Sequence, residues 1–226
     1  ANRNVQRRPA PIMTKPQAYF EAREFINLGF LMAQFTPEQL APVIQEVRAI
    51  EANFSGSEKW NQNLAGQIRH EYKLPGAVPH LEQLITPFFT EYDKIFGGYI
   101  ARQCTDPSKP VLFMKESWVN FQRKHEFNPP HDHLGIMSFV IWLQIPYTRE
   151  QEMACAPGTE ANINVAGQFG FQYTNTLGDI CSNYIPAYKD FEYRMLLFPA
   201  RMKHLVAPFY SSDDFRISVS GNFFAK

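Results

Sequence analysis

The sequence predicts an all-β core with flanking helices, an α+β chain whose second half is an antiparallel sandwich or barrel of jelly-roll type. Two observations carry this. The first half has apolar residues at helical spacing. From Pro110 onward the chain changes to short runs rich in β-branched and aromatic residues, separated by polar and Pro/Gly-containing stretches. The absence of any internal repeat argues against a solenoid or propeller.

The elements follow in order. Residues 1–15 are polar, basic and proline-bearing, and read as a flexible arm with neither a cleavable apolar segment nor a targeting pattern. Residues 16–109 form a helical buttressing region. In "TPEQLAPVIQEVRAIEANF", Thr36 and Gln39 stand at capping-box spacing, with Pro37 at the first helical position. Leu40, Val43, Ile44, Val47 and Ile50 then make one apolar face, which predicts a helix of about four turns. A second helix is expected across "HLEQLITPFFTEYDKIFGGYI", kinked at Pro87 and ended at Gly97-Gly98. The segment before Thr36 gives no clear element.

Residues 110–226 form the β core. In "VLFMKESWVNFQRK", Trp118, Asn120 and Gln122 share one face, and Val119 and Phe121 take the other. "IMSFVIWLQIP" is apolar at nearly every position, as a strand covered on both faces requires. "YRMLLFPA", "KHLVAPF" and "FRISVSGNFFA" are strands of the same character. The stretch from Thr148 to Asp190 is weakly periodic and reads as loops and short strands crossing one face.

Composition removes several classes. With 226 residues, 45% of them hydrophobic and 15% aromatic, the chain can bury a substantial core and is not globally disordered. Lys plus Arg and Asp plus Glu are both 22, so no charge excess argues for nucleic acid or an anionic membrane surface. No run approaches the ~18 apolar residues of a spanning helix. Cys104, Cys155 and Cys181 are odd in number and widely spaced, which fits neither a disulfide framework nor a paired-cysteine zinc site. A reducing, cytoplasmic location is the expectation.

The chemistry is carried by "NPPHDHLG". His131 and His133 stand at i and i+2, so on an extended strand their imidazoles share a face, while Asp132 points the other way. A facial metal site needs a third ligand from a neighbouring strand, and His204 offers one. Such pairs also arise by chance, and each histidine alone is as readily a surface or structural residue. His125, in "RKHE", is expected to be exposed. Twelve residues after His204 comes Arg216, which alternates with Ser218 and Ser220 on one face. An arginine turned into an apolar barrel is costly unless it meets an anion, and its fork suits a carboxylate; otherwise it is an edge residue in an ordinary salt bridge. No Ser-His-Asp or Cys-His arrangement and no phosphate-binding glycine loop is visible.

The order H-x-acceptor, distal His, then Arg-x-Ser resembles the Fe(II)/2-oxoglutarate-dependent oxygenases, over roughly Val111 to Phe224. "SWVNFQRKHEFNPPHDHLGIMSFVIWLQIP", "LLFPARMKHLVAP" and "DDFRISVSGNF" are similar to a prolyl-hydroxylase-related group of marine bacteria and phages, and "LAGQIRHEYKLP" is similar more weakly. The resemblance implies a double-stranded β-helix, Fe(II) and 2-oxoglutarate as cofactors, and hydroxylation of a small-molecule or peptidyl substrate with release of succinate and CO2. By position it implies metal ligation by His131 and His204, and a 2-oxoglutarate carboxylate on Arg216 with Ser218. It also implies co-substrate binding by Asn120. The departure is His133, which stands where the superfamily has a carboxylate. It is a third ligand, it leaves a place for water, or the register shifts so that His133 is proximal and Gly135 takes the acceptor position. The first arrangement is the favoured expectation. A cupin-like metalloprotein without 2-oxoglutarate, or a non-catalytic jelly-roll, are the alternatives.

Overall fold

The computed structural model describes residues 21, 25 and 27–226, so the arm at 1–15 lies outside the described residues. Two antiparallel sheets make the β core. The major sheet has the order β1 (Leu31–Gln34), β8 (Arg194–Pro199), β5 (Met137–Gln144), β10 (Arg216–Ala225), β3 (Leu112–Gln122), β2 (His70–Lys73). The minor sheet has the order β4 (Asn128–His131), β9 (Lys203–Val206), β6 (Phe169–Thr174), β7 (Ile180–Ile185).

The apolar run of β5 is explained by what covers each face. Phe139, Ile141 and Leu143 join the core shared with the helices, while Val140 and Trp142 enter the core between the sheets. Strand β8 divides likewise, with Met195 and Leu197 on the helix side and Leu196 and Phe198 inside the sandwich. Aromatic contacts stitch the two sheets together: Trp142 lies edge-on to Phe169 at 5.6 Å, and Phe171 to Phe198 at 5.0 Å.

The helices lie on the outer face of the major sheet. Helix α1 (Ala41–Ala52) buries Val43, Val47 and Ile50. The expected capping box forms, with the Thr36 N–H donating to Gln39 Oε1 at 2.9 Å and the Gln39 N–H to Thr36 Oγ1 at 3.3 Å. It closes a turn, however, and the helix begins only at Ala41. Pro42 is the reason: it has no N–H to give Glu38, and its ring would strike that carbonyl, so a helix cannot run through both. The second expected helix is two. Helix α2 (Val78–Ile85) and helix α3 (Pro87–Ile95) break at Thr86 before Pro87, and the left-handed Gly97 (φ 64°) follows the end of α3.

Two edge strands, β1 and β2, come from the first half of the chain, where no strand is expected from the pattern of residues. Each is four residues long and is held by pairing to β8 and β3. Between β5 and β6 a short helix α4 (Arg149–Met153) carries a complete Thr148/Gln151 capping box, a signal the sequence reading passed over. Among the described residues no helix is long and apolar enough to cross a membrane.

Candidate metal centre

Strands β4 and β9 set the centre. His131 is the last residue of β4 and is the register partner of His204 on β9. His133 lies just past the strand rather than in it. The backbone stays pinned there, because the His133 N–H donates to the Ala200 carbonyl at 2.8 Å. The three imidazoles converge, with one ligand atom of each within 4.8 Å of the others. A single ion at ~2.1 Å from each nitrogen holds them no more than about 4.2 Å apart, so small ring shifts would close the cluster around it.

Their tautomers follow from their partners. His131 Nδ1 lies 2.7 Å from the Pro129 carbonyl and His204 Nδ1 lies 3.0 Å from the Met202 carbonyl. A carbonyl only accepts, so Nδ1 carries the proton in both rings and Nε2 keeps a free lone pair. Burial pushes all three rings below the ordinary histidine range: His131 downward, His133 to about 4 with help from neighbouring His131, and His204 well below. Neutral imidazole is the form that ligates. Ring packing fixes their orientation, with His204 stacked on Phe169 and edge-on to Phe198, and His133 against Trp118.

Asp132 points away, as its position between the histidines requires. Its carboxylate pairs with Lys203 at 3.1 Å near the surface, so it does not join the cluster. Gly135 has φ 106°, and a Cβ there would meet the Phe223 carbonyl at 2.7 Å, so this residue faces β10. His125 is exposed and stands against Tyr210 instead.

The other expected residues line the same pocket: Asn120, Arg216 and Ser218, together with Gln122, Trp118 and Ser220. The alternation expected for β3 and β10 holds, since Val119, Phe121, Ile217 and Val219 belong to the helix-side core. Arg216 is 2% exposed, yet among the described residues no carboxylate pairs with it. Its donors go to neutral acceptors. Nη1 donates to Tyr147 Oη at 2.7 Å and to the Gly167 carbonyl at 3.0 Å. Nε donates to Gln122 Oε1 at 3.1 Å, and Nη2 donates to the same oxygen. Tyr147 supplies no charge, because burial pushes its phenol up to about 12 despite the neighbouring guanidinium. An unneutralised buried cation is expensive, and the pocket it faces is where an anion would relieve it. The Asn120 amide donates to Ser218 Oγ at 3.4 Å, and Asn120 Oδ1 is buried without a partner. Sequence reasoning missed Gln122 as the arginine's support, although its face was assigned. It also missed Tyr147 and Gly167, which no local signal marks.

Two stacked antiparallel sheets, with three convergent imidazoles and a buried arginine without a carboxylate partner in one pocket, make a double-stranded β-helix with a candidate metal centre. Residues 116–222 match the family model described as "Putative 2OG-Fe(II) oxygenase". Over these residues and in its fold the chain is similar to the Fe(II)/2-oxoglutarate-dependent oxygenases, and it is an enzyme of that type. Solved structures agree in fold. A Pseudomonas putida prolyl-4-hydroxylase superposes with TM-score 0.52 at 13% identity, covering 88% of this chain and 94% of that one. A Trichoplax adhaerens prolyl hydroxylase, solved with a hypoxia inducible factor peptide fragment, gives 0.51 at 13% identity, covering 87% and 83%. The non-heme alpha ketoglutarate dependent epimerase SnoN from nogalamycin biosynthesis gives 0.54 at 13% identity, covering 87% and 78%. A comparison with curated proteins returned no match.

Proposed function

We propose that the chain hydroxylates a small-molecule or peptidyl substrate at an Fe(II) centre held by His131, His133 and His204, consuming 2-oxoglutarate and releasing succinate and CO2. The observation that carries this is the buried, carboxylate-free Arg216 in the same pocket as three neutral imidazoles. The donor set fits the cofactors: three nitrogens suit a facial site, and a guanidinium fork suits a dicarboxylate's far end. Bound together, Fe(II) and 2-oxoglutarate would supply the activation of O2 and the oxidative decarboxylation, one oxygen of O2 going to the substrate and the other to succinate.

The residues of the chain do the rest. His131 and His204 present Nε2 because the Pro129 and Met202 carbonyls hold the other nitrogen's proton. His133 stands in for the usual carboxylate, which leaves the ligand set neutral. Arg216 anchors the co-substrate's distal carboxylate, with Gln122 and Tyr147 holding the guanidinium in place. Ser218 and Asn120 offer further hydrogen bonds along its length. Phe169, Phe198, Trp118 and Trp142 wall the pocket and limit water.

The test is anaerobic reconstitution with Fe(II) and 2-oxoglutarate followed by exposure to O2. Succinate formed only when both are present supports the reading. Tight metal binding with no 2-oxoglutarate turnover returns the cupin-like alternative.

A further inference from the structure

The pocket has a second polar end that the cofactors do not use. Strand β2 places Glu71 beside Asn120 in register, and Asn120 is in turn beside Ser218 on β10. These three make one row across the sheet, two positions along β10 from Arg216 toward the histidines. Glu71 is 1% exposed and lines the pocket. One of its oxygens accepts from the Asn61 amide at 3.2 Å, and the other, Oε1, is buried with no partner. Asn120 Oδ1 and Asn128 Oδ1 are also buried, unpartnered and on the pocket wall. Glu71 Oε1 and Asn128 Oδ1 each come within 2.4 Å of where a Cβ on Gly66 would sit, so one shared donor can reach both. A Cβ at position 66 would collide with both oxygens, so only a glycine lets them stand there.

All of these orphaned atoms are acceptors. Leaving them unsatisfied costs about 1–3 kcal/mol each, so the group that belongs here brings N–H or O–H donors. 2-oxoglutarate, which carries only acceptors, has no donor to give these atoms. Charge narrows the choice. Glu126 stands close enough to Glu71 to act on it electrostatically, and its own carboxylate takes only the Arg69 and Arg123 backbone N–H groups, at 3.0 and 2.8 Å. Among the described residues neither carboxylate is in an ion pair. Of the neighbouring cations, Lys73 pairs with Glu58, and Arg123 meets the Asp213 carbonyl and the Phe215 ring. Burial, then Glu126, raises the Glu71 carboxyl to about 8, a displacement that a bound cation reverses. The pocket is therefore asymmetric, with a fixed positive charge at Arg216 and, at Glu71, a carboxyl that a bound cation would ionise.

We propose that Glu71, with Asn120 and Asn128, is the subsite that receives a protonated amine of the substrate, so that the enzyme acts on an aliphatic amine carried by a small molecule or by a lysine-containing peptide. This rests on reading the pocket as that of a 2-oxoglutarate oxygenase. Gly66, in the loop before β2, lets Glu71 and Asn128 approach each other, and Asn61 orients the carboxyl.

The test is calorimetry on protein loaded anaerobically with Fe(II) and 2-oxoglutarate, titrated with n-butylamine, n-butanol, free lysine and the peptide acetyl-Ala-Lys-Ala-amide. The amines are expected to bind at least about tenfold tighter than the alcohol, and the lysine and peptide arms separate the two sources. Glu71→Gln, which keeps shape and removes charge, erases the preference, and Asn128→Asp, which adds a charge beside it, strengthens it. Equal binding of amine and alcohol, no binding by any amine, or an undiminished preference in Glu71→Gln overturns the proposal. Samples loaded with Fe(II) alone are titrated with 2-oxoglutarate in parallel. Loss of the amine arm alone defeats this inference, whereas failure of parent protein to bind 2-oxoglutarate defeats the reading of the site.

Discussion

Replacing Arg216 by Met separates a binding residue from a structural one. The parent guanidinium is almost fully buried and meets only neutral acceptors. Two effects oppose each other in protein without ligands. Removing the side chain abolishes four hydrogen bonds, at about 1 kcal/mol net each, and orphans Gln122 Oε1. Tyr147 loses less, because its hydroxyl already donates to the Gly167 carbonyl at 3.1 Å. Against this, a buried charge with no counter-charge carries a desolvation penalty of several kcal/mol that Met does not. The two nearly cancel, so urea denaturation of the metal-free variant should show a stability within about 2 kcal/mol of the parent. Ligand linkage tells the other half. At about 100 times its Kd, 2-oxoglutarate stabilises the parent by about 2.7 kcal/mol, and the variant should gain nothing at the same concentration. Loss of two charge-assisted bonds predicts an affinity drop of about a hundredfold or more. A ligand-free destabilisation of about 3–5 kcal/mol with 2-oxoglutarate stabilisation intact would refute the reasoning, since that is how a structural arginine behaves.

Two further predictions follow from the same pocket. His131→Ala, His133→Ala and His204→Ala should each lose metal affinity measured by anaerobic titration, and His133→Asp should keep iron while disfavouring Cu(II) and Ni(II); unchanged iron affinity in His133→Ala would remove His133 from the ligand set. Glu71 gives a pH signature. Its folded carboxyl is raised to about 8 while the unfolded one keeps its ordinary value, so between about pH 5 and 8 the folded state holds the extra proton and stability falls as pH rises. Denaturant midpoints should therefore decline across that window in the parent and be flatter in Glu71→Gln, with equal slopes counting against a buried protonated carboxyl.

The sequence by itself determined what is periodic and local. Alternation put Asn120 and Gln122 on one face of β3 and Arg216, Ser218 and Ser220 on one face of β10, and the structure keeps both assignments, because side-chain direction along a strand follows from the backbone alone. The unbroken apolar run of β5 announced a strand covered on both sides. The i, i+2 spacing of His131 and His133 announced a shared direction, even though His133 falls beyond the strand end. What needed the tertiary structure was everything set by pairing between distant segments. Strands β1 and β2 are too short to carry a period, and they exist because β8 and β3 offer them hydrogen bonds. Arg216 acquires Gln122, Tyr147 and Gly167 from three separate places in the chain. Glu71, in a segment expected to be helical buttress, becomes a buried wall of the pocket only because β2 closes the sheet beside Asn120. A residue's chemistry is written in its type, but its partners and its burial depend on which distant backbone lies alongside it, and only the closed sheet decides that.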